Sequence, residues 1–187
     1  MSMQNSNARL AAGDVMPDFS FDTPFASGLT LADTIRKTGK TILLFLRYYG
    51  CPLCQYDMHL LAENYSLITA AGGQALVVLQ SDPEGLAAQL QPDSLPFAIL
   101  CDPDAALYKN FGIQPAASKV EMIDAGTAAK IAKAKAAGHK HGAYEGEELQ
   151  LPAAFILDQD RHVLYAHYGK SAGDTPNART LAELLRG

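Results

Sequence analysis

The 187-residue chain contains no tryptophan, three cysteines and only 8% aromatic residues, and each shortage excludes something. Three is an odd number of cysteines, too few for a framework of structural disulfides, so reactive thiols are the better expectation. No segment approaches the ~20 consecutive apolar residues of a membrane span. The opening Met-Ser-Met-Gln-Asn-Ser-Asn-Ala-Arg-Leu-Ala-Ala lacks the apolar centre of a secretory signal, and a cytoplasmic protein is expected. Cationic runs are missing too: the formal charge is −5 and the pI near 5.4, which argues against nucleic acid or an anionic membrane surface as the main partner. With 48% hydrophobic and 19% charged residues, the composition is that of an ordinary globular chain with one substantial core. Residues 1–12 are expected to be a disordered tail and 13–187 a single domain.

The chemistry concentrates between Thr41 and Leu61. Ile42 to Leu46 are five consecutive apolar residues, too short for a helix and without polar alternation, as in a strand buried on both faces. Met58, Leu61, Tyr65 and Ile68 then recur at steps of three and four, which puts them on one face of a helix. Cys51 and Cys54 fall where the strand gives way to the helix. The first helical turn has unsatisfied N–H groups and a partial positive charge, and both favour a thiolate. Such placement can lower a cysteine from about 8.5 to roughly 3.5–7.5. Arg47 is the nearest fixed cation, and Pro52 suits a first helical position. The upstream Cys51 is assigned to attack and is expected to be the more exposed thiol; Cys54, inside the first turn, is assigned to resolve by closing a Cys51–Cys54 disulfide. Three other readings compete: inert core thiols, half of a zinc site completed by His139 and His141, and a redox-shaped module that only binds.

The remaining chain reads as alternating strands and helices. Phe19 and Phe21 mark a short half-exposed strand, and Gly28–Asp33 its return partner and a short helix. Residues 74–80 form a second buried strand, parallel to the first through a right-handed crossover. Ser81-Asp82-Pro83 caps a short helix over 84–90, and 96–101 is a third strand ending in Cys101, a buried hydrophobe by type. Asp102-Pro-Asp opens another helix. Ser118 and Glu121 make a capping box for a helix running to Gly138, with Val120, Ile123, Thr127 and Ile131 on one buried face. Lys130, Lys133, Lys135 and Lys140 read as a solvated, basic C-terminal half. A polar loop over 142–152 leads to a hairpin of strands 153–157 and 163–168, and Asn177 caps a last helix buried through Leu181, Leu184 and Leu185.

Gly13-Asp-x-x-Pro-Asp-Phe, the strand ending in Cys-x-x-Cys, Asp102-Pro-Asp and Leu-Pro-Ala-Ala-Phe-Ile-Leu-Asp occur in an order that resembles the alkyl hydroperoxide reductase/thiol-specific antioxidant family of peroxiredoxin-like proteins, from Gly13 to Leu185. Arg47-Tyr-Tyr-Gly-Cys-Pro-Leu-Cys is similar to its peroxiredoxin-like branch. The resemblance implies an α/β, thioredoxin-like fold: a central mixed β-sheet flanked by helices, with a peroxiredoxin-type N-terminal extension. It implies a thiol-dependent antioxidant enzyme that reduces peroxides through Cys51 and Cys54, or one that acts on disulfides, without cofactor or metal. A thiol reductant such as thioredoxin or a low-molecular-weight thiol would restore the dithiol, and the oligomeric state stays open, a homodimer included. It further implies that Pro152 is a cis-proline facing the cysteines, with the backbone of Leu151 turned toward an extended substrate. The chain departs from the Pro-x-x-x-Thr/Ser-x-x-Cys peroxide site of the family: the matching positions are Leu44 and Tyr48 before Cys51, and Arg47 and Cys51 before Cys54.

Overall fold

The computed structural model describes residues 8–187. Strand β1 (Ser20–Phe21) pairs antiparallel with β2 (Leu29–Thr30) and leads into the short helix α1 (Leu31–Ile35), capped by Thr30. The central strand β3 (Lys40–Phe45) is followed by α2 (Pro52–Glu63), α3 (Tyr65–Ala70) and β4 (Gly73–Leu79). The β3 and β4 strands are parallel, as the crossover rule requires. Next come α4 (Pro83–Ala87), β5 (Ala98–Cys101), α5 (Ala106–Asn110), α6 (Lys119–Met122) and α7 (Ala125–Ala136). The chain finishes with the antiparallel hairpin β6 (Ala153–Asp158) and β7 (Val163–Tyr168) and the helix α8 (Ala178–Arg186).

The main sheet has the order β5-β4-β3-β6-β7, parallel on one side of β3 and antiparallel on the other. This is the expected mixed sheet between helices. Because successive strand residues point to opposite faces, the apolar run of β3 divides between two cores. Ile42, Leu44 and Leu46 pack with Met58, Leu61 and Ile68 of the α2–α3 layer and with Leu181 and Leu185 of α8. Leu43 and Phe45 pack with Phe19, Phe21, Leu31, Tyr108 and Phe155 on the other face. A strand covered on both sides has no polar residue to alternate, which is why its sequence looks continuous.

Several local expectations are revised. The helix after Cys54 is broken at Asn64, whose side chain donates to the Leu60 carbonyl at 2.8 Å, although the apolar face continues past the break. The helix begun by Ser118 ends after one turn, because Asp124 accepts from the Thr127 N–H and starts a new one. That restart resets the helical phase. Of the four residues assigned to one buried face, only Thr127 is buried, and Val120 is 86% exposed. The expected tail also divides: residues 1–7 lie outside the described residues, whereas Arg9 and Leu10 are held on Tyr168, the first over its ring at 4.7 Å and the second donating to its hydroxyl at 2.7 Å.

Candidate active site

The first turn of α2 is built around sulfur. Cys51 has extended backbone and occupies the N-cap, where its Sγ accepts from the Cys54 N–H at 3.4 Å, the place usually taken by a serine or aspartate oxygen. Pro52 follows at the first helical position, which needs no N–H. Arg47, just beyond the end of β3, donates from its guanidinium to Cys51 Sγ at 2.9 Å, and its backbone N–H points at Cys54 Sγ at 3.3 Å. The site residues Cys51, Cys54 and Arg47 are thus brought together, and both cysteines are free thiols.

The environment separates the two thiols. Cys51 is pulled down to about 6, through a hydrogen bond from the Cys54 thiol and the charge and hydrogen bond of Arg47, against the opposing effect of burial. Cys54 is pushed well up, by burial and by donating to the Cys51 sulfur. Burial also works against the Arg47 charge, but the two sulfurs outweigh it and keep the guanidinium charged. At neutral pH the arrangement is therefore a Cys51 thiolate held by a cation, with a protonated Cys54 one turn inside. Cys101, at the end of β5, is buried, and burial together with Asp82, Asp22 and Glu145 raises its thiol to about 12.

One expectation fails outright. Cys51 is not the exposed member of the pair, since its accessible surface is 0% and that of Cys54 is 4%. A strap of residues 142–150, part of the stretch 142–152 read from sequence only as a polar loop, crosses the turn just before Cys51. Gly142 N–H donates to the Gly50 carbonyl at 2.8 Å, and the two backbones lie so close that a Cβ on Gly50 would be 2.9 Å from the Ala143 nitrogen. Further along, Ser81 Oγ donates to Glu145 at 2.7 Å, Glu147 N–H donates to Gln80 at 2.8 Å, and Arg47 donates to the Glu148 carbonyl at 2.6 Å. Arg47 consequently binds the strap with one nitrogen and the reactive sulfur with the other.

The strap also supplies residues that sequence reasoning did not assign. The Tyr48 hydroxyl is hydrogen-bonded to the Glu148 carboxyl and lies 3.1 Å from His141 Nε2, and the Arg47 guanidinium stacks 5.7 Å from the Tyr48 ring centre. Met122 Sδ sits 3.9 Å from Arg47. Burial, and the bond to Glu148, raise the Tyr48 phenol above its ordinary value. The one sequence signal was Tyr48 itself, which stands where the peroxide-site pattern has a hydroxyl residue. The histidines do not complete a zinc site with the cysteines: His141 turns to Tyr48, while His139 lies against Tyr56 and His59. No metal-ligating group of three or more His, Cys, Asp or Glu occurs among the described residues.

Pro152 requires a correction. It is buried and directly precedes Ala153, which pairs with Phe45, so it lies at the cysteine end of the sheet. The Leu151–Pro152 bond is nevertheless trans, with no cis peptide among the described residues. Trans is the intrinsically favoured isomer of an X-Pro bond. The Leu151 carbonyl already accepts from the Gln150 amide at 3.1 Å, and that amide also donates to the Ile113 carbonyl at 2.9 Å. The Pro152 carbonyl accepts from Gly169 N–H at 2.8 Å. Both carbonyls thus have partners within the chain.

With this geometry in place, the model of the AhpC/TSA family matches residues 12–166. The chain belongs to that family. No curated protein sequence matches it. Among solved structures it is similar to the peroxidoxin BcpB from Mycobacterium tuberculosis, at 15% identity and TM-score 0.68, covering 95% of this chain and 97% of that one. It is also similar to a 2-Cys peroxiredoxin from Plasmodium vivax (12%, TM-score 0.66, 94% and 80% covered) and to a thiol:disulfide interchange protein DsbE, so described as putative, from Chlorobium tepidum (17%, TM-score 0.57, 94% and 96%). At these identities the likeness concerns the fold, which is the thioredoxin-like fold expected of an AhpC/TSA chain. No helix among the described residues is long and apolar enough to cross a membrane.

Proposed function

We propose that this AhpC/TSA protein is a thiol peroxidase in which Cys51 attacks and Cys54 resolves. The observation that carries the reading is the Arg47 guanidinium 2.9 Å from Cys51 Sγ, beside a Cys54 that remains protonated. The Cys51 thiolate displaces the leaving oxygen of a hydroperoxide: an S–O bond forms, the O–O bond breaks, and sulfur is oxidised to a sulfenic acid while the peroxide is reduced to an alcohol or water. Cys54 sulfur then displaces water to give the Cys51–Cys54 disulfide. An external thiol reductant, either thioredoxin-like or of low molecular weight, restores the dithiol by exchange. The absence of accessible surface at Cys51 favours a small peroxide over an extended disulfide substrate.

The test is one equivalent of hydrogen peroxide on the reduced protein, followed by alkylation and peptide mass spectrometry. The expected result is a Cys51–Cys54 disulfide with Cys101 still alkylated. With Cys54→Ser the product is a trapped sulfenic acid on Cys51. Oxidation linked to Cys101, or substantial peroxide turnover by a Cys51→Ser protein, would refute the assignment. Reduction of a disulfide substrate without peroxide consumption would favour the disulfide-exchange activity.

A further inference from the structure

The contacts around Tyr48 contain more hydrogen-bonding partners than one phenol proton can serve. The phenol oxygen meets the Glu148 carboxyl on one side and His141 Nε2 on the other at 3.1 Å. His141 Nδ1 lies 2.9 Å from the Gly142 carbonyl oxygen, which can only accept, so Nδ1 carries hydrogen. Each of the two contacts to the phenol oxygen needs a hydrogen, and the phenol has only one. With His141 neutral and Glu148 ionised, one contact would set lone pair against lone pair. The group can therefore take up a second proton, either on the Glu148 carboxyl or on His141 Nε2. In both placements every contact is satisfied and the pair of Glu148 and His141 is neutral overall.

The place for that proton lies beside Cys51. Glu148 gives its carboxyl to Tyr48 and its carbonyl to Arg47, and Arg47 in turn holds Cys51 Sγ. Tyr48 has no accessible surface, whereas His141 is exposed and stacked on Tyr144 at 4.0 Å. The group thus runs from solvent to the buried side of the site.

We propose that Glu148, Tyr48 and His141 are a proton store that supplies the hydrogen ion taken up by the oxygen leaving the peroxide. The inference rests on the peroxidase reading above. Attack by the Cys51 thiolate forms S–O, breaks O–O and releases an alkoxide or hydroxide, a strongly basic leaving group beside a sulfur with no accessible surface. Tyr48 gives that oxygen its proton and regains one from His141 Nε2 or from Glu148, and solvent recharges His141. General acid assistance of this kind contributes ~10²–10⁴-fold. Tyr48 stands where a threonine or serine would orient the peroxide, so in this chain the hydroxyl at that position is tied to a supply of protons.

The experiment is single-turnover oxidation of Cys51 in the full-length protein by two oxidants, tert-butyl hydroperoxide and peracetic acid. Tert-butoxide needs a proton to leave and acetate does not. In Tyr48→Phe the hydroperoxide rate should fall by ~10²-fold or more while the peracid rate stays within a few-fold. His141→Phe keeps a ring against Tyr144 at an exposed position, so it guards against a Tyr48 variant that fails to fold, and it should show the same selective loss. Iodoacetamide alkylation of Cys51 should be unchanged in both. Equal slowing with the two oxidants, or parallel loss of alkylation, would overturn the proton store and leave the peroxidase reading intact. A wild-type protein inert to both oxidants would overturn the peroxidase reading and the store with it.

Discussion

Replacing Arg47 by Met tests the electrostatics of the site most directly. The substitution keeps much of the side-chain volume but removes the charge and the 2.9 Å hydrogen bond from Cys51 Sγ. The hydrogen bond from Cys54, the largest effect on Cys51, remains, but losing the cation beside a buried thiolate drives the thiol up from about 6 toward its ordinary ~8.5. At ten-fold per unit, a complete return to ~8.5 takes the thiolate fraction at neutral pH from about nine-tenths to about one-thirtieth, so ~30-fold is the most that the substitution removes. The assay is the ultraviolet thiolate absorbance of the reduced protein against pH, with Cys51→Ser subtracted. Cys54→Ala removes the other contribution, the hydrogen bond from Cys54, and should raise the midpoint at least as far. The same shift fixes the pH dependence of folding. A thiol held below its unfolded value stabilises the fold fully above ~8.5, and that stability, at most about 3 kcal/mol, is lost as pH falls through about 6. Cys54, raised by the fold, acts in the opposite sense above its unfolded value. An Arg47→Met protein whose absorbance midpoint stayed near 6 would refute the argument and leave the Cys54 thiol and the helix terminus as sufficient by themselves.

Two further outcomes concern the elements that hold the site. Gly50→Ala would place a Cβ against the backbone of Ala143, so the strap must shift; the expected results are a stability loss of ~1–3 kcal/mol and faster alkylation of Cys51, and an unchanged alkylation rate would show that the strap does not limit access. Lys130 on α7 pairs with Asp57 on α2 at 2.5 Å, with side chains only 17% and 12% exposed, and it also donates to Thr175 at 2.6 Å. Lys130→Met alone should cost ~3–5 kcal/mol in urea denaturation because it strands a buried carboxylate, and Lys130→Met with Asp57→Leu should cost less; equal losses would mean that the pair is not what joins the two helices.

The order of strands and helices, the parallel β3–β4 crossover, the final hairpin and the placing of Cys51 and Cys54 at a helix start were all present in the sequence, because each depends on local chemistry. A run of apolar residues, a capping side chain such as Asp82 or Asn177, and a proline at a first helical position act within a few residues of themselves. The restart at Asp124 was the exception among local signals, since Ser118 and Asp124 are both competent caps and either could have set the phase.

What the tertiary structure decided was who meets Arg47 and Tyr48 beside Cys51. Arg47 lies four residues away and could be named, but Glu148 and His141 come from a polar loop about a hundred residues on, and nothing in their spacing foretold that the loop folds back over Gly50. That close approach depends on two glycine backbones meeting, Gly50 and Gly142, and on Arg47 reaching a carbonyl at 2.6 Å. Local pattern determines where a reactive sulfur stands in the chain. Its exposure, and the partners of the arginine and tyrosine beside it, depend on long-range packing, which a one-dimensional pattern does not contain.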